Sequence, residues 1–516
     1  MSSTVFQSSF LLKVAVAVAL VALGDLLFFQ WRLGGGNLGI YGLALLAGML
    51  AARRDIRRDR RAWLAAGMAV IFAVAMIHDA NLLAWTLFWA AAGMATLLPA
   101  TGKFDDGWRW FQRLVLHGLR TPFGPIIDAR RFVKVRKGRG QGRGGIWRSL
   151  PVFALPIIGT AIFLALFSAA NPVLEKFLSS IEMPGLSVET IIRSIVWVML
   201  GIMAWSLIHP RLARRTLGSF DGTGDLALPG VSTASVRLSL VMFNLLFALQ
   251  NLMDFAYLGG LAVMPSGITL AEYAHRGAYP LIVTALLAGL FVIVTLRPGS
   301  ATANDGAIRK LVLVWIAQNI VLVASSILRT VDYIEVYSLT VLRISALVWM
   351  VLVAIGLQLI CWRLFAGKSA SWLINTNLAA AILVLTTASF VDLGNVAAWW
   401  NIRHAREVGG PGAALDLCYL ERLGRSSLLP LIALEQRDDL TPGFRDRVQA
   451  TRQRVHDPLH WESVGEWTWL GQRRLEQAAR ELTKIDPKPL RPGLRGCGGI
   501  ILSPSSQGTS ALTADS

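Results

Sequence analysis

Apolar residues in this chain come in long unbroken runs separated by short polar stretches. A helix needs about 20 mostly apolar residues to cross a bilayer. Eleven runs approach or reach that length: 10–30, 36–51, 62–78, 80–99, 149–170, 191–209, 238–258, 278–296, 311–328, 338–361 and 371–391. The second and third are short. The first has Lys13 in front of it and no small-x-small cleavage pattern behind it, and Asp25 interrupts its far end. It reads as a retained helix and not as a signal peptide. The pattern predicts an all-α, polytopic integral membrane protein of about eleven transmembrane helices, with a small helical C-terminal extramembrane domain.

Charge gives the runs a direction. Of 516 residues 54% are hydrophobic and only 16% charged, where a soluble chain carries about a quarter; mean hydropathy is +0.53. The formal charge is +18. It does not form a patch on a soluble domain, so nucleic acid is not expected as a partner. The basic residues fall in alternate loops: 53–61, 101–148, 211–215, 297–310 and 363–368. With Arg148 and Arg237 these hold 27 of the 50 Lys and Arg, against Arg32, Lys176, Arg276 and Arg329 in the opposite set. By the positive-inside rule the N-terminus is cytoplasmic and the C-terminal tail is outside.

The runs divide the chain into four N-terminal helices (1–100), a basic cytoplasmic loop (101–148), a seven-helix core (149–392), a helical extracytoplasmic tail (393–485) and a disordered C-terminus (486–516). In the loop, Phe104, Trp108, Phe111, Leu114 and Val115 recur at helical spacing beside Arg109, Arg113 and Arg120, a helix suited to lie on anionic lipid headgroups. The following KVRKGRGQGRGG has phosphate-loop-like glycines, but no strand precedes it, so it reads as a solvated linker. In the tail, DLCYLERLGRSSLLPLIALE is helical in period, Thr441-Pro442 reads as a helix start, and Ser463 to Lys484 predicts a further helix. Trp461, Trp467 and Trp469 are placed to rest on the bilayer. Of the three cysteines, Cys361, Cys418 and Cys497, the last two are candidates to pair outside the cell, and their spacing fits no metal or redox motif.

Polar groups inside a membrane are costly and turn towards protein or water. Asn244, Asn251 and Asp254 share one helix face, with Gln250 at its edge and Tyr257 one turn beyond Asp254. The ninth run offers Gln318, Asn319, Ser325 and Ser326 and ends in Arg329; the tenth begins with Arg343. Outward loops add Glu272, His275, Arg276, Asp332, Tyr333 and Glu335. These predict an outward-facing polar cavity in which Asp254 pairs with Arg329 or Arg343 and the loop 265–280 forms a cap. The same groups also serve to hold membrane helices together. Glu272 and His275 have half of a metal-site spacing with no second copy, and His456 and His460 lack the zinc-protease glutamate. His78-Asp79 reads as a helix-boundary pair. No metal or cofactor is expected, and no nucleophile-elbow, Walker or kinase signature is present.

NLMDFAYL, MPSGITLAEYAHRGAYPLIVTALLAG and WIAQN followed by ASSILRTVDYIEVYSLTVLRISALVWM resemble a family of bacterial inner-membrane proteins known only as a domain of unknown function. The resemblance covers about 150 to 400 and LDLCYLERLG in the tail. MPSG stands where LP-x-G is expected. The resemblance implies a polytopic membrane protein and transfers no catalytic residue. Three functions are weighed. An envelope sensor or assembly factor with an unknown protein partner ranks first. A transporter or channel for a small polar solute ranks second, with Asn375 and Asn377 as inner polar positions but no inverted repeat. An enzyme on a lipid-linked substrate, using Asp254, Glu272 or His275 as acid or base, ranks third.

Overall fold

The computed structural model describes residues 3–30, 35–101, 104–128, 187–212, 232–258, 287–297, 299–462 and 467–485, with a few isolated positions between them. Every regular element among them is helical. We number the main helices α1 (Ser3–Asp25), α2 (Gly35–Ala52), α3 (Arg60–His78), α4 (Leu82–Thr101), α5 (Gly107–Arg120), α6 (Val188–Ile208), α7 (Thr233–Leu258), α8 (Gly306–Tyr337), α9 (Val341–Ala366), α10 (Ala370–Phe390), α11 (Leu393–His404), α12 (Leu417–Arg422), α13 (Leu428–Glu435), α14 (Pro442–Glu462) and α15 (Trp469–Leu482). Nine of these, α1 to α4 and α6 to α10, are long and apolar enough to cross a membrane. They coincide with nine of the eleven runs. Run 149–170 lies almost wholly outside the described residues, and run 278–296 is described only in part.

The chain forms two compact units. The first comprises Met1–Val74, Trp85–Phe104 and Trp110–Thr216. Here α1 approaches α6 closely enough that a Cβ on Gly24 would sit 2.5 Å from Leu200 Cδ1, the small-residue contact by which membrane helices gain packing. Asp25 is not left to water: it accepts from Arg193 Nε at 2.6 Å and from Trp197 Nε1 at 2.7 Å. Arg53 donates to the Thr96 carbonyl at 2.7 Å, and the Thr96 hydroxyl donates to the Leu207 carbonyl at 2.7 Å. Asp128, also buried, is bridged by Arg211 at 2.6 Å and by the Trp205 indole at 3.0 Å. On α5, Trp110 is buried and Phe111, Val115 and Leu119 form an exposed stripe at four-residue spacing. The predicted apolar face therefore holds for Phe111 and Val115 and omits Trp110, which turns inwards.

The second unit comprises Ala75–Ala84, Asp105–Arg109 and Leu217–Ser516. Its core is aromatic: Trp315 on α8 meets Phe243 and Phe247 of α7 and Phe291, with ring centroids 5.3 to 5.9 Å apart. Helix starts are capped, as they must be where lipid offers no partner for the first N–H groups. Asp305 accepts from Ala307 and Ile308 N–H to open α8, Thr340 from Arg343 N–H to open α9, and Asp392 from Asn395 N–H to open α11. α9 and α10 close on each other at Gly356, where a Cβ would lie 2.9 Å from Asn377 Oδ1. The Asn377 amide donates to its own helix at Leu373 O, and Asn375 Oδ1 accepts the Gly107 N–H at 2.8 Å. Both inner amides are thus spent on helix contacts. Beyond α10, helices α11 to α15 pack around Leu420, Leu428, Leu431, Leu434 and Val448, all fully buried. Cys418 is disulfide-bonded and Cys361 is free; Cys497 lies outside the described residues.

Candidate functional site

The polar face of α7 meets α8 in register. Asn244 Nδ2 donates to the Leu311 carbonyl at 3.0 Å, and Asn251 Nδ2 donates to the Gln318 carbonyl at 3.1 Å. Donor and acceptor both advance by seven residues, so the helices run parallel and the seam follows the two-turn repeat that keeps one face on its neighbour. A parallel course requires the chain to cross back between them. The run 278–296 lies there, and its described part is helical and places Ala288 and Val292 in the core with Leu240 and Val312.

The seam ends in a charged lock. Asp254 is 2% exposed and Arg329 6%. Arg329 Nη2 forms an ion pair with Asp254 Oδ2; Ser325 Oγ donates to the same oxygen at 2.8 Å, and Gln250 Nε2 donates to Oδ1 at 3.0 Å. An ion pair out of water needs these added donors, because desolvation otherwise cancels the attraction. Asn319 is buried and bonds within its own helix to Trp315 O at 2.8 Å. Arg343, the other partner considered for Asp254, lies elsewhere: its guanidinium sits 4.0 Å from the Tyr333 ring centroid and donates to the carbonyls of Tyr337 (2.7 Å) and Ser338. Tyr257 is half-buried and Asp332 exposed. Glu272, His275 and Arg276 lie outside the described residues, as does the loop 265–280. The structure thus brings Asn244, Asn251, Asp254, Gln318, Asn319 and Arg329 together as a packed seam.

A pocket opens one step further along α8. It has a volume of about 320 Å³ and is lined by Glu335 in the last turn of α8 and Ser338 just after it, by Trp400, Asn401 and His404 of α11, and by Gly412. Asn401 builds this junction. Its Oδ1 accepts the Leu339 N–H at 2.7 Å and its Nδ2 donates to the Leu339 carbonyl at 2.8 Å, so a buried amide side chain completes a buried peptide. The Tyr419 hydroxyl accepts the Val341 N–H at 2.9 Å. Ser338 has φ 69° and ψ 166°, a region populated almost only by glycine and costing about 1–3 kcal/mol elsewhere. It is the sole non-glycine residue with positive φ among the described residues. Arg343 and Asn401 hold the chain in that shape from both sides. Of the pocket residues, the sequence marks out Glu335 alone. Trp400, Asn401 and His404 sit in WWNIRH, which fits no motif, and no residue-type rule predicts a left-handed serine.

A second junction ties α15 to the start of α11. Arg474 bridges Asp392 at 2.6 Å, and Ser426 Oγ donates to the same carboxylate at 2.8–2.9 Å. Burial alone would raise the Asp392 pKa, but the Arg474 charge, the Asn395 N–H and Ser426 outweigh it and hold the carboxyl below its ordinary value. Asp79 nearby goes the other way, raised first by burial and then by the Asp392 charge. His78 packs between Trp469 (5.2 Å) and Phe390 (6.3 Å), and Asn81 Nδ2 donates to the Ser389 carbonyl at 3.1 Å. The pair read as a helix boundary is thus part of the footing of the tail.

No curated protein and no solved structure matches the chain. A family model does, over residues 65–434, which takes in the seam, the pocket and the first part of the tail. The chain belongs to that family, whose description is domain of unknown function DUF4153.

Proposed function

We propose that this multi-pass protein resides in a bacterial inner membrane, tail outside, and acts as an envelope sensor or assembly factor whose outer helical domain binds a ligand or partner. The observation that carries this is the joint at Leu339: Asn401 locks the tail onto the end of α8 with two hydrogen bonds, and a pocket opens at that joint. α8 runs without a break from there to the Asp254–Arg329 lock, so occupancy of the pocket bears on the seam through one rigid element. Orientation is supported by the basic loops 53–61 and 363–368 on the opposite side and by the disulfide at Cys418, a bond that persists in oxidising compartments. On the inner side, the exposed Phe111, Val115 and Leu119 of α5 beside Arg109, Arg113 and Arg120 suit an anionic lipid surface.

A photo-crosslinking residue at Arg406, exposed beside the pocket, tests this in intact cells. A discrete envelope adduct is expected. No adduct, together with solute flux through the purified protein in liposomes, would replace the reading with that of a transporter.

A further inference from the structure

The pocket at the end of α8 brings a carboxylate, an imidazole and an indole together. His404 Nδ1 lies 2.9 Å from the Trp400 carbonyl. A carbonyl only accepts, so Nδ1 carries the hydrogen in this contact. Several donors nearby are already used. Gly412 N–H donates to the His404 carbonyl at 2.8 Å, Gly410 N–H to the Ala405 carbonyl at 2.9 Å, and the Asn401 amide to Leu339. Arg343 is spent on the Tyr333 ring and on the Tyr337 and Ser338 carbonyls. Glu335 is exposed and enters no ion pair among the described residues. The remaining wall is apolar, with Ile334, Pro411 and Ala413 beside Trp400, which is 43% exposed and on which the His404 ring stacks at 3.9 Å and 15°.

A carboxylate with no ion pair among the described residues, an imidazole and an indole in one cavity match one ligand chemistry, since the indole face and the carboxylate both attract a cation. The strained Ser338 backbone belongs to the same wall, and strain of this kind persists where a site is held in shape. We infer that this pocket binds a protonated organic amine, with the ammonium at Glu335 and its carbon chain against Trp400 and His404. The inference rests on the reading that the outer domain binds an envelope ligand. Two sources carry that chemistry: a soluble amine, and the ethanolamine headgroup of a lipid in the outer leaflet.

The test uses the full chain in phosphatidylglycerol nanodiscs, with ethanolamine titrated, acetate as the opposite-charge control and Tm as the readout. A saturable rise in Tm with ethanolamine and none with acetate is expected. Glu335→Gln is expected to weaken the apparent affinity by about tenfold or more while leaving the ligand-free Tm unchanged, because the side chain is exposed and unpaired. Discs of phosphatidylethanolamine separate the sources. If the headgroup is the ligand, those discs raise the wild-type Tm, leave Glu335→Gln behind, and abolish the response to added ethanolamine. If the ligand is soluble, the titration is the same in both discs. Absence of any ammonium-dependent shift in either disc, an equal shift with acetate, or wild-type binding by Glu335→Gln would overturn the inference. Glu335-dependent ethanolamine binding in a protein that gives no envelope adduct at position 406 would leave the amine site standing and remove the sensor reading.

Discussion

Asp254 has no water to fall back on, and its stability contribution depends on its partners. Breaking a buried pair from one side leaves an uncompensated charge and costs about 3 kcal/mol or more. Arg329→Leu is therefore expected to unfold in detergent far more readily than wild type. Asp438→Asn, at an exposed position of the tail, should stay within about 0.5 kcal/mol. Replacing both members, Asp254→Leu with Arg329→Met, should recover much of the loss; a double variant as weak as the single one would show that the lock does more than balance charge. The acids at the foot of the tail respond to pH in opposite senses. The folded-state pKa of Asp392 is depressed, so its contribution is present above the ordinary carboxylate range and is lost as pH falls through the depressed value. The pKa of Asp79 is raised, so its contribution is complete below the ordinary range and is lost as pH rises through the raised value. Asp79→Asn should accordingly raise thermal stability at pH 7 and leave it nearly unchanged below pH 4, a contrast read by melting curves at the two pH values.

At the scale of elements, the spans were legible in the sequence because lipid demands about 20 apolar residues whatever the helix later packs against. The need of Asp254 for a cation was legible too, but not which cation. Arg329 and Arg343 stand at equal cost in the sequence, and the chain reversal at Ser338 decides between them by carrying Arg343 to the far side of Tyr333. The seven-residue spacing of Asn244 and Asn251 marked a shared face; that both amides donate to carbonyls of α8 emerges only when α7 and α8 meet in register. The pocket was not legible, because its shape comes from tertiary hydrogen bonds imposed on a serine that by type resists its own backbone angles. Those bonds give the joint its strength. Asn401→Ala would leave the buried Leu339 N–H and carbonyl both unpaired, a loss of about 2–5 kcal/mol. Limited proteolysis should then cleave the tail at protease levels that spare it in wild type, with the transmembrane fragment intact. Equal resistance of the two proteins would mean that Arg474 and Tyr419 hold the tail without it.

For the whole molecule, topology is the property most directly exposed to test. On a Cys361→Ser background, His404→Cys is expected to react with a membrane-impermeant thiol reagent in intact cells, while Ile316→Cys in the packed core stays unlabelled. Labelling of position 404 only after permeabilisation would invert the orientation. The lengths of the helices carry a further consequence. α8 has 32 residues and α10 has 21, which at 1.5 Å per residue makes rods of about 48 and 32 Å. Both are anchored at their C-terminal ends to one helical domain, α8 through Leu339 and α10 through Asp392. The shorter rod matches a hydrocarbon layer of about 30 Å, and the longer one exceeds it. A change in bilayer thickness therefore loads the two unequally, at fractions of a kcal/mol per ångström of mismatch, and the difference falls on the anchors they share. The contacts at Leu339 and Asp392 are therefore where a mismatch between the two rods would be taken up.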